Sequence, residues 1–136
     1  MLPRDRRVRT PAEFQHIRRT GTRAGRPCVV VTVAPEPEQT RPPASSEPRG
    51  PRAGFVVSKA VGNSVVRHRV VRRLRAILRD ELDGPALRGR PLLVQVRALP
   101  PAATADHATL RREVSGALAS ALKRRERTTA GKTGPR

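Results

Sequence analysis

The sequence of 136 residues contains no tryptophan and no tyrosine, and Phe14 and Phe55 are its only aromatic residues. A hydrophobic core must therefore be aliphatic, and a chain of this length supports one domain. Cys28 is the only cysteine, which excludes an intramolecular disulfide and indicates a reducing compartment. There is no apolar run of membrane-spanning length and no secretory signal at the N-terminus. We therefore expect a cytoplasmic protein without a membrane partner, since a membrane-surface helix would need bulky apolar anchors.

Negative charge is also scarce. Eleven Asp and Glu stand against 29 Lys and Arg, of which 26 are arginine, for a formal net charge of +18. Uncompensated charge of this size repels itself and disfavours the compact state. The composition therefore predicts a polyanionic partner.

No catalytic constellation is visible. The histidines and the cysteine lie far apart without zinc-ligand spacing, and no glycine-rich phosphate loop precedes a helix. A cluster of carboxylates, Asp80, Glu81 and Asp83, has two interpretations: part of a metal site, or a helix end that pairs with nearby arginines. We favour the second, because metal sites need ligands from several elements. We expect no catalytic residue, no protein-bound metal and no small-molecule substrate.

The N-terminal half predicts a helix and a strand. Thr10 and Glu13 form a capping box around Pro11, and Gly21 can close the helix in a left-handed conformation. The stretch Cys28–Ala34 is β-branched and nearly continuously apolar, as in a strand buried on both faces. Residues 35–51 hold six prolines without an apolar pattern and predict a flexible insertion.

The C-terminal half continues with a strand over 52–58, a helix from about Asn63, a strand over 92–96 and a second amphipathic helix over 107–125. The strands that flank the first of these helices can form a parallel pair. We predict an α+β fold with a sheet covered by helices, in a single domain over 1–125. Residues 126–136 are predicted to be a basic disordered tail.

The segment Ser58–Arg75, "SKAVGNSVVRHRVVRRLR", carries six positive charges, and residues 59–79 contain no acid. A helix face that only contacts solvent usually carries both acidic and basic residues, which pair four positions apart. Helical spacing places Val66, Val70, Leu74, Ile77 and Leu78 on one arc and Arg69, Arg72, Arg75 and Arg79 on the opposite arc, with Arg73 at the border. Arg67 falls within the apolar arc, from which it can project past the sheet edge. Together with Lys59 and the Gly-Asn junction before the helix, this pattern favours phosphate binding.

The stretch "RAGFVVSKAVGNSVVRHRVVRRLR" resembles the signature of the bacterial ribonuclease P protein subunit family. The similarity extends to "LPRDRRVRTPAEFQHIRRTG" and to "VRALPPA". The resemblance implies an αβββαβα sandwich with a small four-stranded sheet and a further short strand near Arg23–Arg26. It also implies a left-handed crossover through the basic helix, against the usual right-handed rule.

By resemblance, the chain is the protein subunit of a ribonucleoprotein endoribonuclease that removes the 5′ leader from precursor tRNA. Catalysis is then expected from the RNA subunit and its Mg²⁺, with the protein alone inactive. The residues implied to contact the catalytic RNA are Ser58, Lys59, Asn63, Arg67, His68, Arg69, Arg72, Arg73 and Arg75. The residues implied to contact the leader, in a cleft between the sheet and the first helix, are Phe14, Ile17, Arg18, Cys28 and Val31.

The chain departs from the family pattern at Ala60, His68 and Val71. Where family members often place aromatic residues in the leader cleft, it has Arg18, Cys28 and Val31, so leader contacts are expected to depend on charge. Two other classes stay open on the residues alone: a structural ribosomal RNA-binding protein, and a DNA-binding regulator with the basic helix in a major groove. The latter would need more Asn and Gln to read base edges. Copurifying RNA would separate the three classes.

RNA affinity is predicted to depend strongly on salt, because arginine–phosphate contacts release counterions. Arg69→Ala should reduce the log–log salt slope by about one phosphate, roughly 0.7–0.9. Arg136→Ala, in the predicted tail, should change the slope much less. Equal effects of the two substitutions in a binding titration over several salt concentrations would show that the charge acts diffusely.

Overall fold

The computed structural model describes residue 2, residues 6–37 and residues 50–133, with the backbone alone for residues 128–133. In chain order the helices and strands are α1 (Pro11–Thr20), β1 (Thr22–Gly25), β2 (Val29–Pro35), β3 (Arg52–Val56), α2 (Ser64–Leu82), β4 (Leu92–Ala98) and α3 (His107–Thr133). A 3-10 helical turn over Pro100–Ala103 precedes α3. None of the helices in these ranges is both long and apolar enough to cross a membrane.

The four strands form one mixed sheet in the order β1-β2-β4-β3. β1 and β2 are antiparallel, β2 and β4 are antiparallel, and β3 and β4 are parallel neighbours joined through α2. The αβββαβα order and the short strand β1 are therefore confirmed. The left hand of the crossover stays a prediction.

The two faces of the sheet are covered unequally. On one face, Val29, Val31 and Val33 of β2 join the apolar sides of α2 and α3 in a large aliphatic core. On the other face, α1 is the one helix of the described ranges that packs on the sheet, over a small cluster of buried residues with Phe14 beside it; the buried members are Val8, Ile17, Ala34 and Leu93. Because α1 has only 10 residues, part of this second face stays open.

The start of α1 follows the sequence prediction and its end does not. The Thr10 side chain accepts from the Glu13 amide, and the Glu13 carboxylate accepts from the Thr10 amide, so the capping box is confirmed. Gly21 is extended (φ −80°, ψ 156°), so the predicted left-handed cap is wrong. A Cβ at this position would clash with the Thr32 side chain and the Ile17 carbonyl. Glycine is thus required at position 21 because there is no space for a Cβ against the sheet, and not because the backbone is left-handed there.

Two other predicted boundaries are wrong. β2 extends through Pro35, and Glu36 and Pro37 are buried, so the beginning of the proline-rich stretch belongs to the folded domain. Residues 38–49 of the predicted insertion lie outside the described residues. α3 continues to Thr133, so residues 126–133 are helical where a disordered tail was predicted.

Gly54 allows α1 to approach the sheet. A Cβ at Gly54 would lie 2.7 Å from the Phe14 ring and 2.9 Å from Val8 Cβ. Gly54→Ala should therefore lower the free energy of unfolding by about 1–3 kcal/mol, as overpacking usually does. The control is Gly25→Ala, whose new Cβ would meet only Val30 Cγ2 at 4.0 Å. Urea unfolding midpoints measure both, and equal midpoints would contradict this account of α1 packing.

Candidate RNA-binding surfaces

The basic helix is α2, and it begins where the sequence predicted. Asn63 is its N-cap and its Oδ1 accepts from the Val66 amide at 3.0 Å. The side chains that pack on the sheet are buried: Val70, Leu74, Ile77, Leu78 and Leu82. His68, Arg69, Arg72 and Arg79 are exposed on the other side of the helix. The amphipathic pattern thus directs a row of cationic side chains into solvent.

Three arginines of α2 are only half-exposed. The Nε atoms of Arg67 and Arg75 are shielded from solvent and have no hydrogen-bond partner among the described residues. Burial, followed by the charge of nearby Arg7, lowers the pKa of Arg75. Arg75 was predicted on the outward arc, and its partial burial beside Arg7 corrects that placement. Arg73 donates to the Ala105 carbonyl oxygen at 3.1 Å, so it also contacts the protein.

In the turn before α2, the side chains are accessible to a ligand, whereas two backbone amides are already hydrogen-bonded. Ser58 and Lys59 are exposed, as the sequence interpretation requires. The amides of Val61 and Gly62, however, donate to the Ser58 and Lys59 carbonyl oxygens at 3.1 and 3.2 Å. These two amides are satisfied within the turn, so a phosphate here would be held mainly by side chains. The exposed and half-exposed residues Lys59, Arg67, His68, Arg69, Arg72, Arg73 and Arg75 are called the cationic helix face below.

The carboxylates at the end of α2 are engaged by other side chains. Asp80 pairs with Arg111 at 2.9 Å and Asp83 with Arg6 at 2.6 Å, while Glu81 accepts a hydrogen bond from Ser115. The interpretation that this cluster pairs with arginines is confirmed. Within the described ranges, no three His, Cys, Asp or Glu residues converge as metal ligands. The donor set therefore does not fit a protein-held Mg²⁺ at this helix end.

A second cationic surface lies on the open part of the sheet. Cross-strand partners place Thr32 beside Gln95 and Val30 beside Arg97, next to the area that α1 covers. These residues, with Arg18 and Arg23, line a cavity of about 220 Å³. It adjoins a wider depression of about 480 Å³ that Phe14 and Val56 also line and that shares Arg18, Gln95 and Arg97.

We call this surface the sheet cleft. Its described lining contains three arginines, Arg18, Arg23 and Arg97, and no carboxylate. All three guanidinium side chains belong to exposed residues, so they are accessible to an anion. Phe14 on α1 and Phe55 on β3 both line the wider depression, so the cleft offers at most two aromatic rings for stacking on bases. The cleft is thus suited to phosphates and to at most a few stacked bases.

Three of the residues predicted to contact a leader are not in the cleft. Ile17 and Val31 have no exposed surface and Cys28 is 4% exposed. Ile17 packs beneath α1, and Val31 points into the core on the α2 and α3 side. Burial, and then the neighbouring Glu113 carboxylate, raises the pKa of the Cys28 thiol. The side chains of these three residues are packed inside the protein, so this structure does not support direct contact with a leader for them.

Sequence reasoning missed the residues that line the cleft from the strands. Gln95 and Arg97 alternate with apolar neighbours in "LLVQVRA", and this period of two would have placed them on one face. Arg23 belongs to β1, which no periodicity indicated. Phe14 and Arg18 were predicted, but only through the family resemblance.

Comparison with known proteins agrees with this architecture. Residues 2–122 match the family model described as Ribonuclease P. The chain is 68% identical over 123 residues to the ribonuclease P protein component of Micrococcus luteus, covering 90% of this chain and 92% of that protein. It is 48% identical over 118 residues to that of Streptomyces avermitilis, covering 87% and 93%.

The fold is also similar to solved structures. The RNase P protein of Staphylococcus aureus superposes with a TM-score of 0.68 at 22% identity, covering 85% of this chain and 94% of that one. The Thermotoga maritima RNase P protein gives 0.63 at 18% identity, covering 81% and 92%. Sequence and fold thus lead to the same assignment, and the chain belongs to the ribonuclease P protein family.

Proposed function

We propose that the cationic helix face binds the catalytic RNA of ribonuclease P, while the sheet cleft binds the 5′ leader of precursor tRNA. Membership of the family makes the chain the protein component of a ribonucleoprotein endoribonuclease. The observation that carries the finer assignment is the position of two cationic surfaces on opposite sides of one sheet. A protein with this layout can contact two RNA molecules simultaneously, which a single basic patch would not allow.

The charge distribution on α2 supports an RNA contact. Within the described chain, no ion pair involves Arg67, Arg69 or Arg72, whereas acidic residues pair with arginines elsewhere. Unpaired guanidinium groups bind phosphate oxygens strongly and often bidentately. Ser58, Asn63 and His68 lie at the start of the same surface and can add neutral hydrogen bonds. The family match favours this assignment over a ribosomal protein or a DNA-binding regulator.

The leader is proposed to bind mainly through its backbone. Arg18, Arg23 and Arg97 contribute positive charge around the cleft, and the two phenylalanines Phe14 and Phe55 offer the aromatic surface for stacking. Phosphate contacts carry no base identity. We therefore expect leader binding to be sensitive to salt and largely insensitive to leader sequence. Ile17, Cys28 and Val31 act in this scheme only as buried support.

Catalysis is proposed to belong to the RNA, in the cytoplasm. Mg²⁺ bound by RNA phosphates would supply an activated water for hydrolysis of the scissile phosphodiester. The carboxylates of α2 are already paired with Arg6 and Arg111, so the protein's contribution is charge neutralisation and substrate positioning. Neutralised RNA–RNA repulsion lowers the Mg²⁺ concentration that assembly requires.

Cleavage of precursor tRNA should require the RNA subunit. RNA-free protein is expected to leave the substrate intact at every Mg²⁺ concentration, because its described carboxylates do not converge. Added to the cognate catalytic RNA, the protein should lower the Mg²⁺ needed and raise kcat/KM for substrates with a leader of several nucleotides. The assay compares RNA alone, protein alone and both over a Mg²⁺ series. Cleavage by rigorously RNA-free protein would overturn the assignment of catalysis to RNA.

Arg97→Ala should weaken binding of leader-bearing substrate by roughly threefold to tenfold, the scale of one exposed charge-assisted contact. Affinity of the protein for the catalytic RNA should hardly change, because Arg97 faces away from α2. Arg88→Ala is the matched control, since Arg88 is exposed and does not line the cleft. Fluorescence titrations of the assembled holoenzyme measure both variants. Equal losses for Arg88→Ala and Arg97→Ala would contradict a specific leader contact.

A further inference from the structure

One buried arginine, Arg52, belongs neither to the cationic helix face nor to the lining of the sheet cleft. Arg52, the first residue of β3, has 8% of its side chain exposed and lies between two carboxylates. Its Nη1 is 2.6 Å from Glu13 Oε2, and its Nη2 is 3.5 Å from Glu36 Oε1. The Glu13 and Glu36 side chains are 9% and 3% exposed. The other ion pairs among the described residues join side chains that are at least 25% exposed.

This buried triad, Glu13–Arg52–Glu36, connects three separate parts of the chain. Glu13 lies in the first turn of α1, Glu36 directly follows β2, and Arg52 begins β3 on the far side of the proline-rich insertion. A buried ion pair seldom stabilises a fold more than apolar side chains of the same volume would. In a chain with so few acids, the use of two carboxylates on one arginine therefore points to a role in specifying geometry.

We propose that Arg52 is a positioning residue for the sheet cleft: it sets where α1 lies over the sheet and thereby the width of the cleft. The inference rests on the proposed binding of the leader in that cleft.

The path from Arg52 to the cleft is short. Arg52 and Gly54 lie on the same face of β3, because side chains alternate along a strand. Glu13 pairs with Arg52, and the ring of the next residue, Phe14, lies directly over Gly54. Phe14 and Arg18, one turn later on α1, both line the cleft. A shift of α1 would consequently move the aromatic ring and one of the three cleft arginines together.

The protonation state of Glu13 is consistent with this role. Burial opposes its ionisation, but hydrogen bonds from the Arg9 amide, from Arg52 and from the Thr10 amide, with the charge of Arg52, outweigh burial and lower the pKa of Glu13 below its ordinary value. Because the folded pKa is lowered, the stabilising contribution is complete above the unfolded value and is lost only as pH falls through the folded value. The ion pair is therefore intact at neutral pH.

The test uses the holoenzyme and two variants designed to keep the fold. Arg52→Lys keeps the charge but not the planar fork that reaches both carboxylates. The triple variant Glu13→Gln, Arg52→Met and Glu36→Gln removes the three charges of the triad at once, while Gln at position 13 retains the capping box. Arg111→Met is the matched control, because it removes the exposed pair with Asp80 on the other side of the protein.

The readout is the ratio of kcat/KM for a substrate with a leader of several nucleotides to that for a substrate with a single-nucleotide leader. Thermal melts and affinity for the catalytic RNA are measured alongside. We expect the triple variant to melt near the unmodified protein yet to lower the ratio roughly tenfold, mainly through KM, the equivalent of one charge-assisted contact. Arg52→Lys should lower the ratio less, and Arg111→Met should leave it unchanged.

Two negative results have different meanings. If the unmodified holoenzyme shows no leader dependence, the proposed function of the cleft fails before any variant is considered. If the unmodified holoenzyme is leader-dependent and both Arg52 variants keep its ratio, the positioning role is overturned while the cleft proposal stands. A parallel fall in catalytic-RNA affinity and in the ratio would also overturn it, because the effect would then not be confined to α1.

Discussion

The ion pairs that a few carboxylates form with a small number of the many arginines are the interaction on which the rest of this structure depends. With 11 acids for 29 Lys and Arg, most cations cannot be paired within the chain. Five of the described acids connect separate parts of the chain: Glu13 and Glu36 flank Arg52, Asp80 and Asp83 pair with Arg111 and Arg6, and Glu113 accepts from the Cys28 amide. None of them lines the sheet cleft or lies on the cationic helix face. The unpaired positive charge is thereby concentrated where a phosphate backbone can approach.

Because the helices cover the two faces of the sheet unequally, the positive charge is divided between two separate surfaces. On the α2 and α3 side, aliphatic residues from both helices cover the strands, and α2 carries its arginines on its outer surface. On the opposite side, the short helix α1 covers only the area around Ala34 and Leu93. The next residues along β2 and β4, including Thr32, Gln95 and Arg97, remain as the floor and wall of the cleft. A longer α1 would have covered the cleft and left the protein with one basic surface.

The helices were the most predictable part of the fold. The capping box of α1, the Asn63 cap of α2 and the apolar stripe of α2 follow from local rules that depend on neighbours within one or two turns. The strand β1 did not follow from such rules and was expected only from the family resemblance, and the strand order of the sheet was not predicted. The end of β2 was missed because it depends on a distant strand: Pro35 pairs with Leu92 of β4. The end of α3 was placed too early at Arg125, where the sequence has no local signal that ends a helix.

Composition and local patterns are enough to establish a small, aliphatic, strongly cationic domain with an amphipathic arginine helix and a nearly complete family signature. Which residues line the sheet cleft and which join the core depends on the tertiary structure. The strand "CVVVTVA" is apolar at almost every position, so its alternation does not reveal which face meets a cleft and which meets the core. The register with β4 settles it: Val31 pairs with Val96 towards the core, and Val30 pairs with Arg97 towards the cleft. A strand buried on both faces carries no binary pattern, and the pairing of distant strands supplies the information that its own residues lack.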